Sequence, residues 1–153
     1  MIGKLRKLFG LPWRDRLLLA EAAVALGVAR LAVLVLPFRW IAPRLGESMA
    51  DSPEEDRLEP DLLRRIGWAV SVASHHLPWV SRCLAEAIAG KAMLRRRGVP
   101  STLYLGLAKE GPADLEAHAW LRCGSTVLTG GQTSDVYTVI ASFAEPTPEG
   151  RGR

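Results

Sequence analysis

Cysteine is scarce in this chain, with two residues, Cys83 and Cys123. Two thiols are too few for a disulfide-stapled scaffold, and neither stands in a CxxC or Cys/His zinc spacing. The simpler reading is a pair of free thiols in a reducing compartment, so a cytoplasmic location is expected. No internal repeat is present, which removes solenoid and propeller architectures. No nucleic-acid-binding motif and no basic-aromatic RNA signature is present. The net charge of +4 is therefore read as a solvated basic surface, and no nucleic-acid partner is expected.

What is there suits a single domain. The 153 residues are 48% hydrophobic and 24% charged, an ordinary balance for a globular chain with a sizeable core. Charge is unevenly spread. Residues 46–60 (GESMADSPEEDRLEP) contribute −5, leaving +9 for the remainder. This acidic stretch holds Pro53 and Pro60 and has no apolar period. It reads as an exposed linker between an N-terminal helical arm, 1–45, and a core, 61–144, with 145–153 a disordered tail.

Residues 17–36 (LLLAEAAVALGVARLAVLVL) carry only Glu21 and Arg30 as charges. The length matches a membrane span of about 20 residues. A central Arg or Asp costs about 2.5–3.5 kcal/mol at membrane depth, and the run ends in Pro37-Phe38-Arg39-Trp40 rather than a small-residue cleavage site. The favoured reading is a largely buried helix of a soluble domain, with membrane contact through 17–36 as the alternative.

A helix is expected from Pro60 to about Leu77. Proline suits its first turn, and Leu62, Leu63, Ile66, Ala69, Val70 and Ala73 form one face. It stops before Pro78. A second helix is expected from about Trp79 to Arg97, closed by Gly98 and Pro100. After Pro100 the period changes. Ser101–Ala108, Leu115–Cys123, Thr126–Thr129 and Val136–Phe143 read as four strands, with Gly124-Ser125 as a tight hairpin. Helices followed by an antiparallel meander give an α+β fold.

Cys83 falls in the first turn of the second helix. Free N–H groups at a helix start favour a thiolate, which is the nucleophilic form of cysteine. The competing reading is a small buried hydrophobe. His118 alternates with Ala117 and Ala119, on the strand face that also holds Glu116, Trp120 and Arg122. It is either a surface residue or the lining of a cleft. Cys123 falls on the apolar face and is expected to pack. His75 and His76 read as helix-end residues. No metal and no cofactor is expected.

The stretches PWVSRCLAEAIAGKAMLRRRGVPSTLYLGLAKE, LEAHAWLRCG, VLTGG and YTVIASF, with LLLAEAAVALGVARL…LPF near the start, resemble the leader peptidases of lasso-peptide biosynthesis. These are the microcin-processing, transglutaminase-like cysteine peptidases. The resemblance implies a papain- or transglutaminase-like core that removes the leader from a ribosomally made precursor. It implies three partners: the lasso precursor peptide, a small leader-recognition protein, and an ATP-dependent macrolactam cyclase. No segment suits an integral leader-recognition domain, so the chain resembles the split form. Carried over residue by residue, Cys83 matches the nucleophile and His118 the general base. The family's acid is expected around Thr129–Gly131, where this sequence has none. Asp135 is the nearest downstream acid and the candidate third member. A backbone carbonyl or the Gln132 amide is the alternative. Rival functions are an acyltransferase or transglutaminase on the same scaffold, or a non-catalytic scaffold for precursor and cyclase.

Overall fold

A computed structural model describes residues 7, 9–54, 59–77, 83–109 and 111–145, with the backbone alone for 132–134. Among the described residues from Trp13 on, four helices precede most of a five-stranded sheet. In chain order these are α1 (Trp13–Val35), α2 (Phe38–Leu45), β1 (Glu47–Ser48), α3 (Pro60–His76) and α4 (Cys83–Arg96). β2 (Thr102–Lys109), β3 (Leu115–Cys123), β4 (Thr126–Thr129), a 3-10 helix (Gly131–Val136) and β5 (Thr138–Ala144) follow. The fold is α+β with an antiparallel sheet, as the sequence pattern predicts.

α3 begins on Pro60 and ends where Leu77 turns extended, at φ −76° and ψ 147°. The residue before a proline avoids the helical region, so the stop is local. α4 ends on Gly98, whose φ of +66° a side chain would resist; Val99 N–H then returns to the Leu94 carbonyl at 3.1 Å. Residues 78–82, part of the expected second helix, lie outside the described residues. The β3–β4 hairpin turns on Gly124 and Ser125, with Cys123 paired to Thr126 and Gly124 at φ +56°.

The sheet order is β1-β5-β2-β3-β4, which corrects the expected meander. β5 does not pair with β4. The 3-10 helix carries the chain back across, and β5 pairs with β2 instead. The acidic stretch is likewise partly built in. Glu47 and Ser48 pair with Ala144 and Phe143. The Ser52 amide donates to Thr102 Oγ1 at 2.8 Å, and Arg122 donates to the Ser52 carbonyl at 2.9 Å. These are polar, long-range ties that leave no apolar period to read. Residues 55–58 lie outside the described residues.

The core gathers α1, α3, α4 and one face of the sheet. It includes Leu26, Ile66, Leu94, Leu103 and Leu121, each under 1% exposed. α1 packs on both α3 and α4. Asp15 receives Arg65, and Glu21 is clasped by Arg97 through both carboxylate oxygens, at 2.9 and 2.8 Å. The expectation of a largely buried helix is corrected: only 28% of its most apolar window is buried. Its inner face meets the core, and its outer face is apolar as well.

At the other end, buried Lys91 on α4 donates to the Ser101 carbonyl at 2.7 Å and to Glu145 at 3.0 Å. Glu145, first residue of the expected tail, is thus anchored; 146–153 lie outside the described residues.

Candidate active site

Cys83 is the first residue of α4 and is half-buried against the core. The start of α4 is tied to α3 one turn further on, where Ser74 Oγ donates to Glu86 at 2.6 Å. Neither Cys83 nor Cys123 is disulfide-bonded. Cys123 is 1% exposed and packs in the core, as its strand face predicts.

α4 lies along β3. Gly90 rests on Leu121 and Leu128, so closely that a methyl group at Gly90 would meet Leu121 at 2.8 Å. Lys91 reaches Ser101, so α4 runs toward the Cys123 end of β3. From Gly90 back to Cys83 is seven residues, about 10 Å of helix. From Leu121 back to His118 is three residues, about 10 Å of strand. Cys83 and His118 therefore both lie on the Leu115 side of the Gly90–Leu121 contact. The β2–β3 pairing is regular from Thr102 to Lys109. The pleat thus turns His118 to the face opposite Leu121. No hydrogen bond joins Cys83 to His118 among the described residues.

His118 is held from three sides. Its Nε2 lies 2.9 Å from the Gly130 carbonyl oxygen. A carbonyl only accepts, so Nε2 carries the proton and Nδ1 is left as the basic nitrogen. Trp120 stacks beside it at 6.0 Å between ring centroids, and Tyr137 lies at 4.8 Å. Tyr104 stacks on the far side of Trp120 at 5.4 Å. Gly106 makes room for this cluster: an added Cβ would meet Trp120 at 2.8 Å and Tyr137 at 2.9 Å.

Gly130 is where the sequence lacks the expected acid. Its φ is +69°, and a Cβ there would fall 2.6 Å from the Ala119 carbonyl and 2.9 Å from His118 Nε2. The backbone carbonyl thus occupies the position of an imidazole-orienting group. Asp135 is exposed in the 3-10 helix and has no hydrogen bond to His118 among the described residues. The Gln132 side chain lies outside the described residues. Beside Gly130, Thr129 Oγ1 is buried without a hydrogen-bond partner among the described residues.

His75 and His76 are exposed on the last turn of α3. Each donates Nδ1–H one turn back, to Ser71 and Val72 carbonyls at 2.7 and 2.8 Å. Among the described residues no three His, Cys, Asp or Glu side chains are grouped to hold a metal ion.

Sequence reasoning found Cys83 and His118 by residue type but missed Tyr104 and Tyr137. Their signal was faint: one aromatic each, on strands or loops far apart in the chain.

A family model described as the transglutaminase-like superfamily matches residues 25–142. The chain belongs to the transglutaminase-like superfamily. That superfamily is typically one of cysteine peptidases and acyltransferases. The match spans α4, β3 and β4, and so includes Cys83, His118 and Gly130. No curated protein and no solved structure matches this chain.

Proposed function

We propose that this transglutaminase-like protein is a cysteine peptidase that removes the leader from a lasso precursor peptide. The observation that carries the reading is the transglutaminase-like match over Cys83 and His118, beside the His118–Gly130 hydrogen bond that leaves Nδ1 as a base. The lasso specificity rests on the resemblance of the Cys83 helix and the Ala-His-Ala-Trp strand to that family.

In this reading precursor binding brings the His118 ring, turned to the face of β3 opposite Leu121, to the Cys83 thiol. Nδ1 then takes the Cys83 proton, and the thiolate attacks the scissile carbonyl. The Cys83 N–H donates to the developing oxyanion. The imidazolium then protonates the leaving amine, which belongs to the core peptide. Water, deprotonated by the same nitrogen, attacks the acyl-enzyme and releases the leader. Gly130 orients the ring throughout by accepting from Nε2. No metal or cofactor enters. The precursor is presented by a separate leader-recognition protein and the product passes to an ATP-dependent cyclase, both working in the cytoplasm.

The test is mass spectrometry of precursor incubated with the chain and its recognition partner. Cys83→Ala and His118→Ala should leave the precursor intact while keeping the wild-type circular dichroism spectrum. A Cys83→Ala variant that still cuts overturns the assignment. The coupling of the pair has its own readout. Iodoacetamide should alkylate Cys83 with a pH profile that His118→Ala changes, the buried Cys123 being out of reach. Identical profiles would mean that the two groups never meet.

A further inference from the structure

The outward face of α1 carries an apolar strip, with Glu21 at its edge. Leu17, Val24, Val28, Leu31, Leu34 and Val35 are each 60–67% exposed. At 100° per residue they fall on one side of the helix, opposite buried Leu18, Ala22 and Leu26. The strip runs the length of a 23-residue helix, about 33 Å. A helix apolar on both sides belongs between two apolar media. The core supplies one of them.

The ends of the strip identify the other. Trp13 stands at its start, 61% exposed, and Trp40 just beyond its end, 56% exposed. Arg14 and Arg16 flank the first tryptophan, and Arg39 the second; all three are exposed. The two acids of α1 do not neutralise them. Asp15 is engaged by Arg65, and Glu21 by Arg96 and Arg97. Between Leu17 and Val35 the only side chains with donors or acceptors are Glu21 and Arg30, both half-buried, and Glu21 is already engaged by Arg96 and Arg97. A protein partner ordinarily needs about one hydrogen bond per 100–200 Å² of interface. Lipid needs none. Aromatic anchors at both ends with exposed arginines beside them match an anionic bilayer surface.

We propose that α1 seats the protein on an anionic membrane surface, lying in the interfacial plane rather than crossing it. Crossing is excluded by the inner face: Leu18, Leu19, Ala22, Leu26 and Ala29 are core residues, and two ion pairs hold the helix to α3 and α4. Leaving the domain would strip that face and break both pairs. The apolar groove between α1, α2 and α4, about 840 Å³ in volume, opens beside the strip with Arg44, Arg95 and Arg96 at its edge. An acyl chain there would place its phosphate among arginines. The inference is independent of the peptidase reading.

The test is co-sedimentation of the full chain with vesicles of phosphatidylglycerol and phosphatidylethanolamine, and with phosphatidylcholine vesicles as control. The anionic vesicles should pellet the protein at least about tenfold better than the neutral ones, with the advantage lost at high salt. Val28→Asp with Leu31→Asp should abolish pelleting, and Arg14→Glu with Arg16→Glu should weaken it several-fold. Both variants alter exposed positions, and their thermal melts are compared with wild type to confirm folding. Brominated acyl chains should quench the fluorescence of Trp13 and Trp40, by comparison with Trp13→Ala and Trp40→Ala. Failure to pellet with anionic vesicles overturns the proposal. So does equal pelleting of folded Val28→Asp/Leu31→Asp. A stable dimer in vesicle-free buffer that this double variant converts to monomer overturns it too, because a second copy then covers the strip.

Discussion

The imidazole Nε2 of His118 is hydrogen-bonded to the backbone carbonyl of Gly130, at 2.9 Å. That carbonyl stands where the resemblance leads one to expect a carboxylate. A carbonyl can fix tautomer and ring orientation, but it cannot add a negative charge to steady the imidazolium. Gly130→Ala therefore tests orientation directly. The new methyl would press on Ala119 and on His118 itself, from a backbone at φ +69°. The left-handed conformation alone costs about 1–2 kcal/mol. Leader cleavage should fall by at least about tenfold in kcat, because a reacting group is displaced. Asp135→Asn should cut near the wild-type rate. Loss of a true orienting acid can cost on the order of 10⁴ in rate, so a large Asp135→Asn defect would return that role to Asp135.

The aromatic neighbours make a second test. Trp120 is 5% exposed and stacks between Tyr104 and His118. Trp120→Ala should cost about 3–5 kcal/mol in stability, which confounds activity with folding. Gly106→Ala keeps all three rings and displaces them instead. Its Cβ would push on the Trp120 ring edge and on Tyr137, the two rings that flank His118. Cleavage kcat per folded molecule should drop, and the melting temperature should fall as well, since neither the buried Trp120 ring nor Tyr137 Cβ can withdraw freely. Unchanged kcat in a folded Gly106→Ala variant would show that the cluster does not steer the imidazole.

The particular elements show what a sequence can display. β3 and β4 have the boundaries the alternation predicts, because each has a side buried against helices and bounding turns that force its ends. α3 and the end of α4 were equally legible, since Pro60, the Leu77-Pro78 pair and Gly98 act within a few residues. β1 was not. Two residues make no period, and the strand exists only because β5 offers it an edge. Nor was the side of β2 to which β5 returns, a long-range pairing set by a 3-10 helix rather than by a turn signature. α1 was legible as a helix but not in its sidedness: when both faces are apolar, periodicity cannot say which one meets the core. In the candidate site, Cys83 and His118 announce themselves by chemistry. A backbone carbonyl was foreseen as the alternative to an acid, but not which one, because every residue has one. Only the glycine needed at φ +69° left a mark in the sequence.

Lys91 and Glu145 form a tie whose two ends are unequal. Lys91 is 2% exposed and Glu145 24%. Burial pushes the Lys91 ammonium below the ordinary lysine range, and Glu145 restores part of it. Burial acts on Glu145 as well, but the Ser101 N–H and the Lys91 ammonium outweigh it and hold the carboxyl low. Glu145→Ala leaves a buried cation with only the Ser101 oxygens. The cost should be about 3 kcal/mol, the low end for a broken buried pair, or a fall of about 6–12 °C in melting temperature. Lys91→Met should cost far less, since an apolar chain of similar length needs no partner. Differential scanning calorimetry of both variants decides the ordering; a Lys91→Met variant as unstable as Glu145→Ala would refute it.

Glu21 makes the hold of α1 on the domain sensitive to acid. Its hydrogen bonds from Arg97 lower the carboxyl below the ordinary 4.5, against the opposing effect of burial. A carboxyl depressed in the folded state binds its proton more readily when unfolded. Its stabilisation is therefore complete above 4.5 and disappears as pH falls through the lower, folded value. Glu21→Gln should be less stable than wild type by about 1.5–3 kcal/mol at neutral pH, the worth of hydrogen bonds to a charged group. Once pH has fallen below the lowered, folded value the two proteins should converge, because protonation makes Glu21 resemble the amide. Melting temperatures of both proteins across that range give the answer. A gap that stays constant into acid would mean that the Glu21–Arg97 pair is not what fastens α1 to α4.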